Sequence, residues 1–169
     1  SSYPALGLMH SPERKGKIHA IHRVMETVGS EIVVFTDANT FLNQSALVLI
    51  AGHYADPLVG AVSGEKRVSL DSSADATAGE GFYWKYESLL KKWDSELYSV
   101  VGAAGELFSV RRSLYRPVPG DTILDDFMIS MLIAGQGYRI VYEPDAYAVE
   151  EASESITEEL KRKVRIAAG

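Results

Sequence analysis

The chain contains no cysteine in its 169 residues, which excludes a disulfide framework, thiolate zinc sites and cysteine nucleophiles. That absence fits a reducing compartment. No stretch approaches the ~18 uninterrupted apolar residues that a membrane span requires. No charged start followed by an apolar core suggests a signal peptide. A basic excess is missing too. Seventeen Lys and Arg against 23 Asp and Glu give a net charge of −6, which argues against broad binding to nucleic acid or anionic lipid. There is no Walker loop, no Ser-His-Asp arrangement and no internal repeat. What is present, 46% hydrophobic and 24% charged residues, is the composition of a soluble globular protein. The length is near that of one ordinary domain, so residues 1–169 are expected to form a single one.

Tyr3 to Met9 reads as a short strand and Arg14 to Val28 as a helix, with Ile18, Ile21, Val24, Met25 and Val28 recurring at threes and fours. Ile32 to Phe35 is a continuous β-rich run, as expected of a strand covered on both faces in a parallel sheet. Asn43 to Tyr54 repeats the helical pattern and Val59 to Leu70 resumes as a strand. Asp71 to Gly81, small and polar, reads as a loop. The helix after it is expected to turn Phe82, Tyr86, Leu89, Trp93 and Leu97 toward the core. Leu107 to Val110 is strand-like. Asp121 to Ala134 is expected as a helix with Leu124, Phe127, Met128, Met131 and Leu132 facing inward. Tyr138 to Tyr142 is a further strand, and Ser155 to Ala168 a closing helix with a Ser-x-x-Glu capping box. Strands alternating with helices favour an α/β sheet with right-handed crossovers.

Asp37-Ala38-Asn39 follows the carboxyl end of a strand, where open α/β sheets bind ligands. Two oxygen-bearing side chains two residues apart suit one hard divalent cation that bridges to a diphosphate. They equally suit a plain turn in which Asp37 caps the next helix. In Asp125-Asp126 adjacent carboxylates repel, so one of them, partly desolvated, can act as a base. Thr122-x-x-Asp125 is also a capping box, which gives Asp125 a structural alternative and leaves Asp126 as the sharper candidate. Gly16-Lys17 at a helix start can set an ammonium against phosphate, although a lysine there is also an ordinary solvated charge. Arg111-Arg112 and Lys161-Arg162-Lys163 read as solvated faces. His19 and His22, at i,i+3, are more often surface or core than metal ligands.

Taken in order, Gly16-Lys17-x-x-Ala20-Ile21, Thr36-Asp37-Ala38-Asn39, Gly105-Glu106-Leu107-Phe108-Ser109-Val110-Arg111-Arg112 and Leu124-Asp125-Asp126-Phe127 resemble family 2 glycosyltransferases. The resemblance runs from about Arg14 to the final helix. It implies a GT-A fold: a Rossmann-like α/β domain with a mixed, mostly parallel sheet flanked by helices. It also implies a nucleotide-sugar donor, expected to be UDP-linked, and a divalent metal, Mn or Mg. Transfer would invert the anomeric carbon and deliver the sugar to a glycan or lipid-linked acceptor hydroxyl in polysaccharide biosynthesis. Asp37 and Asn39 match the Asp-x-Asp metal motif, with an amide where an aspartate is usual. Asp125 and Asp126 match the Glu-Asp pair, whose second member is the general base. Gly16, Lys17, Asp37 and Arg165 would bind the donor, and Gly105, Glu106 and Arg112 would line the acceptor side. Arg162-x-x-Arg165 is similar to the Gln-x-x-Arg-Trp element of processive members, but Arg162 and Ile166 replace its glutamine and tryptophan.

Nothing in Ser1 to Pro12 matches the family's opening strand and Pro-x-Tyr-Asn-like turn. The chain is therefore expected to be the core without the first strands that hold the nucleotide base. It should transfer little sugar alone and self-associate through an open sheet edge near Tyr3 to Met9. The parent is expected to be cytoplasmic or at the cytoplasmic face of a membrane. Two other functions stay open. One is a non-catalytic nucleotide- or carbohydrate-binding domain of the same fold. The other is a nucleotidyltransferase, which would want a glycine-rich phosphate loop where only Gly16 stands.

Overall fold

A computed structural model describes residues 7–69, 78–103, 105–151 and 164. Its elements are α1 (Lys17–Met25), β1 (Ile32–Thr36), β2 (Thr40–Leu42), α2 (Ala46–His53), β3 (Val59–Ser69), α3 (Ala78–Leu97), β4 (Leu107–Arg111), a single 3-10 turn (Arg112–Leu114), α4 (Asp125–Ala134) and β5 (Arg139–Glu151). One five-stranded sheet has the order β1-β4-β3-β5-β2. Helices lie on both of its faces.

Strand alternation builds those faces. Val33 and Phe35 of β1 point with Phe108 and Val110 of β4 into one core, which Ile18 of α1 and Ile129 and Ile133 of α4 complete. Ile32, Val34 and Leu107 point the other way, against Ala46 and Ile50 of α2 and Tyr54 just past its end, residues four apart in sequence. The α/β class is as expected, but the sheet is not mostly parallel. Among the described residues only β3 and β5 pair parallel, whereas β1–β4, β3–β4 and β2–β5 are antiparallel. The apolar run of Ile32 to Phe35 signalled that both faces were covered, and such a run carries no information about a neighbour's direction.

The sheet turns back on itself at one end. Gly64 of β3 pairs with Glu143 and Glu65 with Tyr147, so Pro144, Asp145 and Ala146 bulge from β5. Beyond the bulge β5 carries β2. Although β1 and β2 hold opposite ends of the strand order, the hydroxyls of Thr36 and Thr40 are 2.8 Å apart. Asn43 fixes the return: its side chain donates to Asp145 O at 3.0 Å and accepts from Tyr147 N at 2.9 Å.

Two helices present faces other than those expected. On α3, Tyr86, Leu89, Trp93 and Leu97 are exposed. The helix docks on β5 through serines: Ser88 Oγ lies 2.7 Å from the Tyr142 hydroxyl, and Ser95 Oγ accepts from Tyr142 N at 2.9 Å. Hydrophobic periodicity does not see a polar seam. On α4, Phe127, Met128, Met131 and Leu132 are exposed, while Asp125, Ile129, Ser130 and Ile133 are buried. That helix is apolar nearly all round, so its pattern selects no face.

α4 begins at Asp125 with Leu124 as N-cap and no side-chain cap bond, so the capping box from Thr122 is absent. α3 begins at Ala78, inside the expected loop. Arg111 is not a solvated charge. It donates to Val59 O at 2.8 Å and Tyr54 O at 2.7 Å and ties β4 to the start of β3. Gly7 to His10 form no strand. Tyr3 to Leu6, the loop residues 71–77, and the expected helix of Ser155 to Ala168 lie outside the described residues, apart from helical Val164. Among the described residues no helix is long and apolar enough to cross a membrane.

Candidate active site

Four separated segments meet at the carboxyl end of β1. α1 enters from Gly16, whose φ of 89° and ψ of 174° favour glycine, and starts at Lys17. Lys17 Nζ lies 3.3 Å from Asp37 Oδ1 and 3.6 Å from Asp125 Oδ2. One ammonium thus joins the turn after β1 to the first residue of α4. Burial alone would lower the Lys17 pKa, but the charges of Asp125, Asp37 and Asp126 outweigh it and hold it above the ordinary value.

The two adjacent carboxylates sit differently. Asp125 has its side chain 9% exposed, and Oδ2 has no hydrogen-bond partner among the described residues. Nearby, burial and then the charge of Asp125 push the Tyr115 hydroxyl up to about 12. Asp126 is half-buried, and desolvation raises its pKa above the usual carboxylate range. Asp125 adds to that rise, while the Phe127 N–H and Lys17 oppose it. Gly105 lies against it: a Cβ there would meet Asp126 Oδ2 at 2.8 Å. The site so joins the half-buried Asp126 carboxylate, the Lys17 ammonium, and a second carboxylate exposed at the rim, Asp37.

Asp37 is 39% exposed at its side chain, and its turn is braced from within. The Thr40 hydroxyl donates to Asp37 O at 2.8 Å, and the Thr36 hydroxyl reaches Glu106 O at 3.2 Å. Asn39 Nδ2 donates to Glu150 Oε1 at 3.1 Å. A cavity of about 370 Å³ opens beside this turn, lined by Ile21, Val24, Phe35 and Phe108 together with Lys17 and Asp37. Among the described residues no group of three or more His, Asp or Glu could hold a metal by itself.

The other expected residues divide. Gly105 joins the crevice. Glu106 borders it, but its carboxylate takes a 2.6 Å bond from Lys66 rather than standing open to an acceptor. Arg112 is not brought there. β4 runs from Leu107, opposite Thr36, to Arg111, opposite Ile32, so Arg112 stands at the far end of the strand pair. Arg165 lies outside the described residues. The rings of His19 and His22 are tilted, with centroids 6.4 Å apart, and form no metal cluster among the described residues.

A solved mannosyltransferase from Pyrobaculum calidifontis, in complex with GDP-Man and Mn²⁺, superposes on 96% of this chain and 44% of its own, with a TM-score of 0.76 and 30% identity. The chain has the fold of a GT-A glycosyltransferase. A mannosyl-3-phosphoglycerate synthase from Rubrobacter xylanophilus shares that GT-A fold more loosely, with a TM-score of 0.50, 19% identity, and 91% and 49% of the two chains covered. In sequence, the poly-β-1,6-N-acetyl-D-glucosamine synthase of Staphylococcus aureus is 29% identical over 164 residues, 93% of this chain and 39% of the relative. The O-antigen chain rhamnosyltransferase of Salmonella typhimurium is 26% identical over 148 residues, covering 82% and 47%. The relatives are glycosyltransferases, and the chain spans less than half the length of each. No family model matches.

Within the GT-A frame, sequence reasoning missed Lys66 and Glu150. A signal for them exists. Ala146 and Ala148 are buried on β5, and Glu150 is two residues further, in step with them. Lys66 continues the side of Val62 and Gly64 on β3 in the same way. A charge in phase with the buried side of a strand demands a partner.

Proposed function

We propose that this chain is the catalytic core of an inverting glycosyltransferase that moves a sugar from a nucleotide-sugar donor to an acceptor hydroxyl on a glycan or lipid-linked glycan. The observation that carries the reading is the Lys17 ammonium, 3.3 Å from Asp37 and 3.6 Å from Asp125. It gathers the donor motif and the carboxylate pair around one crevice.

Asp126 takes the proton from the acceptor oxygen as that oxygen attacks the anomeric carbon from the face opposite the diphosphate. The bond from that carbon to the phosphate oxygen breaks, and the nucleoside diphosphate leaves with the electron pair. The raised pKa of Asp126 makes it a better proton acceptor than an exposed aspartate, and positioned bases of this kind contribute about 10²–10⁴-fold. Asp125 holds Lys17, and Lys17 meets the diphosphate.

Asp37 and Asn39 fit a divalent cation. Their donor set is oxygen only, and Asp37 already faces a positive charge at Oδ1. Diphosphate oxygens and water would complete the cation's ligand set, since among the described residues no group of three or more His, Asp or Glu converges. When bound, Mn²⁺ or Mg²⁺ would neutralise charge that develops on the leaving diphosphate. A nucleotide-sugar donor is compatible with a reaction in the cytoplasm or at the cytoplasmic face of a membrane.

The test is product analysis on the native protein with manganese, using UDP-linked sugars and GDP-mannose, the latter because the solved neighbour carries it. Nucleoside diphosphate and an inverted glycoside are expected. Pyrophosphate release would indicate a nucleotidyltransferase, and donor binding without release would indicate a binding domain.

A further inference from the structure

The Asn39 carboxamide is held by residues outside its own motif. Its Nδ2 lies 3.1 Å from Glu150 Oε1. A carboxylate only accepts, so the nitrogen must face Glu150, which leaves Oδ1 for another partner. Glu150 is itself anchored: Oε2 accepts from Lys66 Nζ, which also donates to Glu106 Oε1 at 2.6 Å. The Lys66 side chain is 9% exposed, and those of Glu106 and Glu150 are 20% and 18% exposed. β3, β5 and the entry to β4 each supply one member, so the sheet sets their positions. In the register, Glu150 stands opposite both Thr40 of β2 and Val68 of β3.

An aspartate at position 39 would set a carboxylate against the Glu150 carboxylate and lose the hydrogen bond. Asparagine can donate to Glu150 through nitrogen and offer its oxygen to a cation. We infer that Glu150, anchored by Lys66, is a positioning residue that turns the Asn39 carboxamide oxygen toward the divalent cation of the donor diphosphate, and that Asn39 and Glu150 are matched to each other. The inference rests on the donor-site reading above. It reverses what charge alone suggests, namely that Asn39→Asp would keep or strengthen metal binding.

Manganese affinity, read from the electron paramagnetic resonance of the free ion, tests it on the chain and its Asn39→Asp, Glu150→Gln, Asn39→Asp/Glu150→Gln and Asp37→Ala variants, with folding followed by circular dichroism. Each of the first two single changes is expected to weaken binding by about 10–100-fold. The double variant is expected to recover the starting affinity or better, because glutamine can accept from Lys66 while donating to an aspartate at 39. In the metal-free protein, Glu150→Gln should also shift the side-chain amide resonances of Asn39. Tighter binding by Asn39→Asp with Glu150 in place, additive losses in the double variant, or an unmoved Asn39 amide overturns the inference. Manganese binding that survives Asp37→Ala overturns the donor-site reading and the inference with it. Loss in Asp37→Ala without coupling between 39 and 150 overturns the inference alone.

Discussion

Gly105 and Asp126 approach so closely that a methyl group on the glycine would lie 2.8 Å from Oδ2 of the aspartate. The contact fixes where the Asp126 carboxylate points, because one side of its space is occupied by backbone. Gly105→Ala is therefore expected to swing the carboxylate aside, lowering kcat by about 10²-fold, the cost of a catalytic group displaced by roughly 1 Å. Donor KM and the unfolding midpoint should stay close to wild type. A variant with full kcat would show that Asp126 tolerates displacement.

The raised pKa of Asp126 has a stability consequence. A carboxylate whose folded pKa lies above its unfolded one favours the fold below the unfolded pKa. That contribution is lost as pH rises through the folded pKa. Asp126→Asn should accordingly raise the thermal midpoint at neutral pH, and the gain should vanish under acid conditions where both states are protonated. The same pKa sets the acid limb of kcat, which should fall above the usual carboxylate range. Calorimetry and a pH–rate profile check both.

Thr122→Ala separates a cap from a bystander. A capping residue typically contributes ~0.5–2 kcal/mol, but α4 is capped by Leu124 without a side-chain bond. The substitution should change stability by no more than about 0.5 kcal/mol in urea unfolding. A loss of more than about 1 kcal/mol would restore the capping box.

Lys66→Met would leave the Glu106 and Glu150 carboxylates facing each other with their shared cation gone. Removing one partner of a buried ion pair costs about 3–5 kcal/mol. Urea unfolding of Lys66→Met should show a loss of that order, whereas Lys92→Met, at a 4.0 Å surface pair with Glu96, should be near neutral.

Much of this molecule was legible in the sequence, for identifiable reasons. Ile18 announces a buried helix face because the other sides of α1 carry polar groups such as His19, His22 and Arg23. Asp37, Asp125 and Asp126 stand out because they fall within motifs that recur in order along the chain, whereas each alone also suits a cap or a turn. α3 misled because Ser88 and Ser95 make its contacts through hydroxyls, to which a hydrophobic pattern is blind. α4 misled because Phe127 and Met131 are as apolar as Ile129 and Ile133. The antiparallel return of β4 leaves no mark in composition, and it alone carries Arg112 away from the crevice. Glu150, 111 residues from Asn39, is brought to it by the antiparallel pairing of β2 with β5, which sets Thr40 opposite Glu150.

The most direct test of the central claim, that Asp126 is the base of a glycosyl-transfer crevice, is single-turnover transfer by the native protein and its Asp126→Asn and Asp125→Asn variants, with nucleoside-diphosphate affinity measured alongside. The account predicts that Asp126→Asn loses about 10²–10⁴-fold in the chemical step while affinity holds, because asparagine keeps the size but cannot take the proton. Normal turnover by Asp126→Asn, beside a folded but inactive Asp125→Asn, would contradict it.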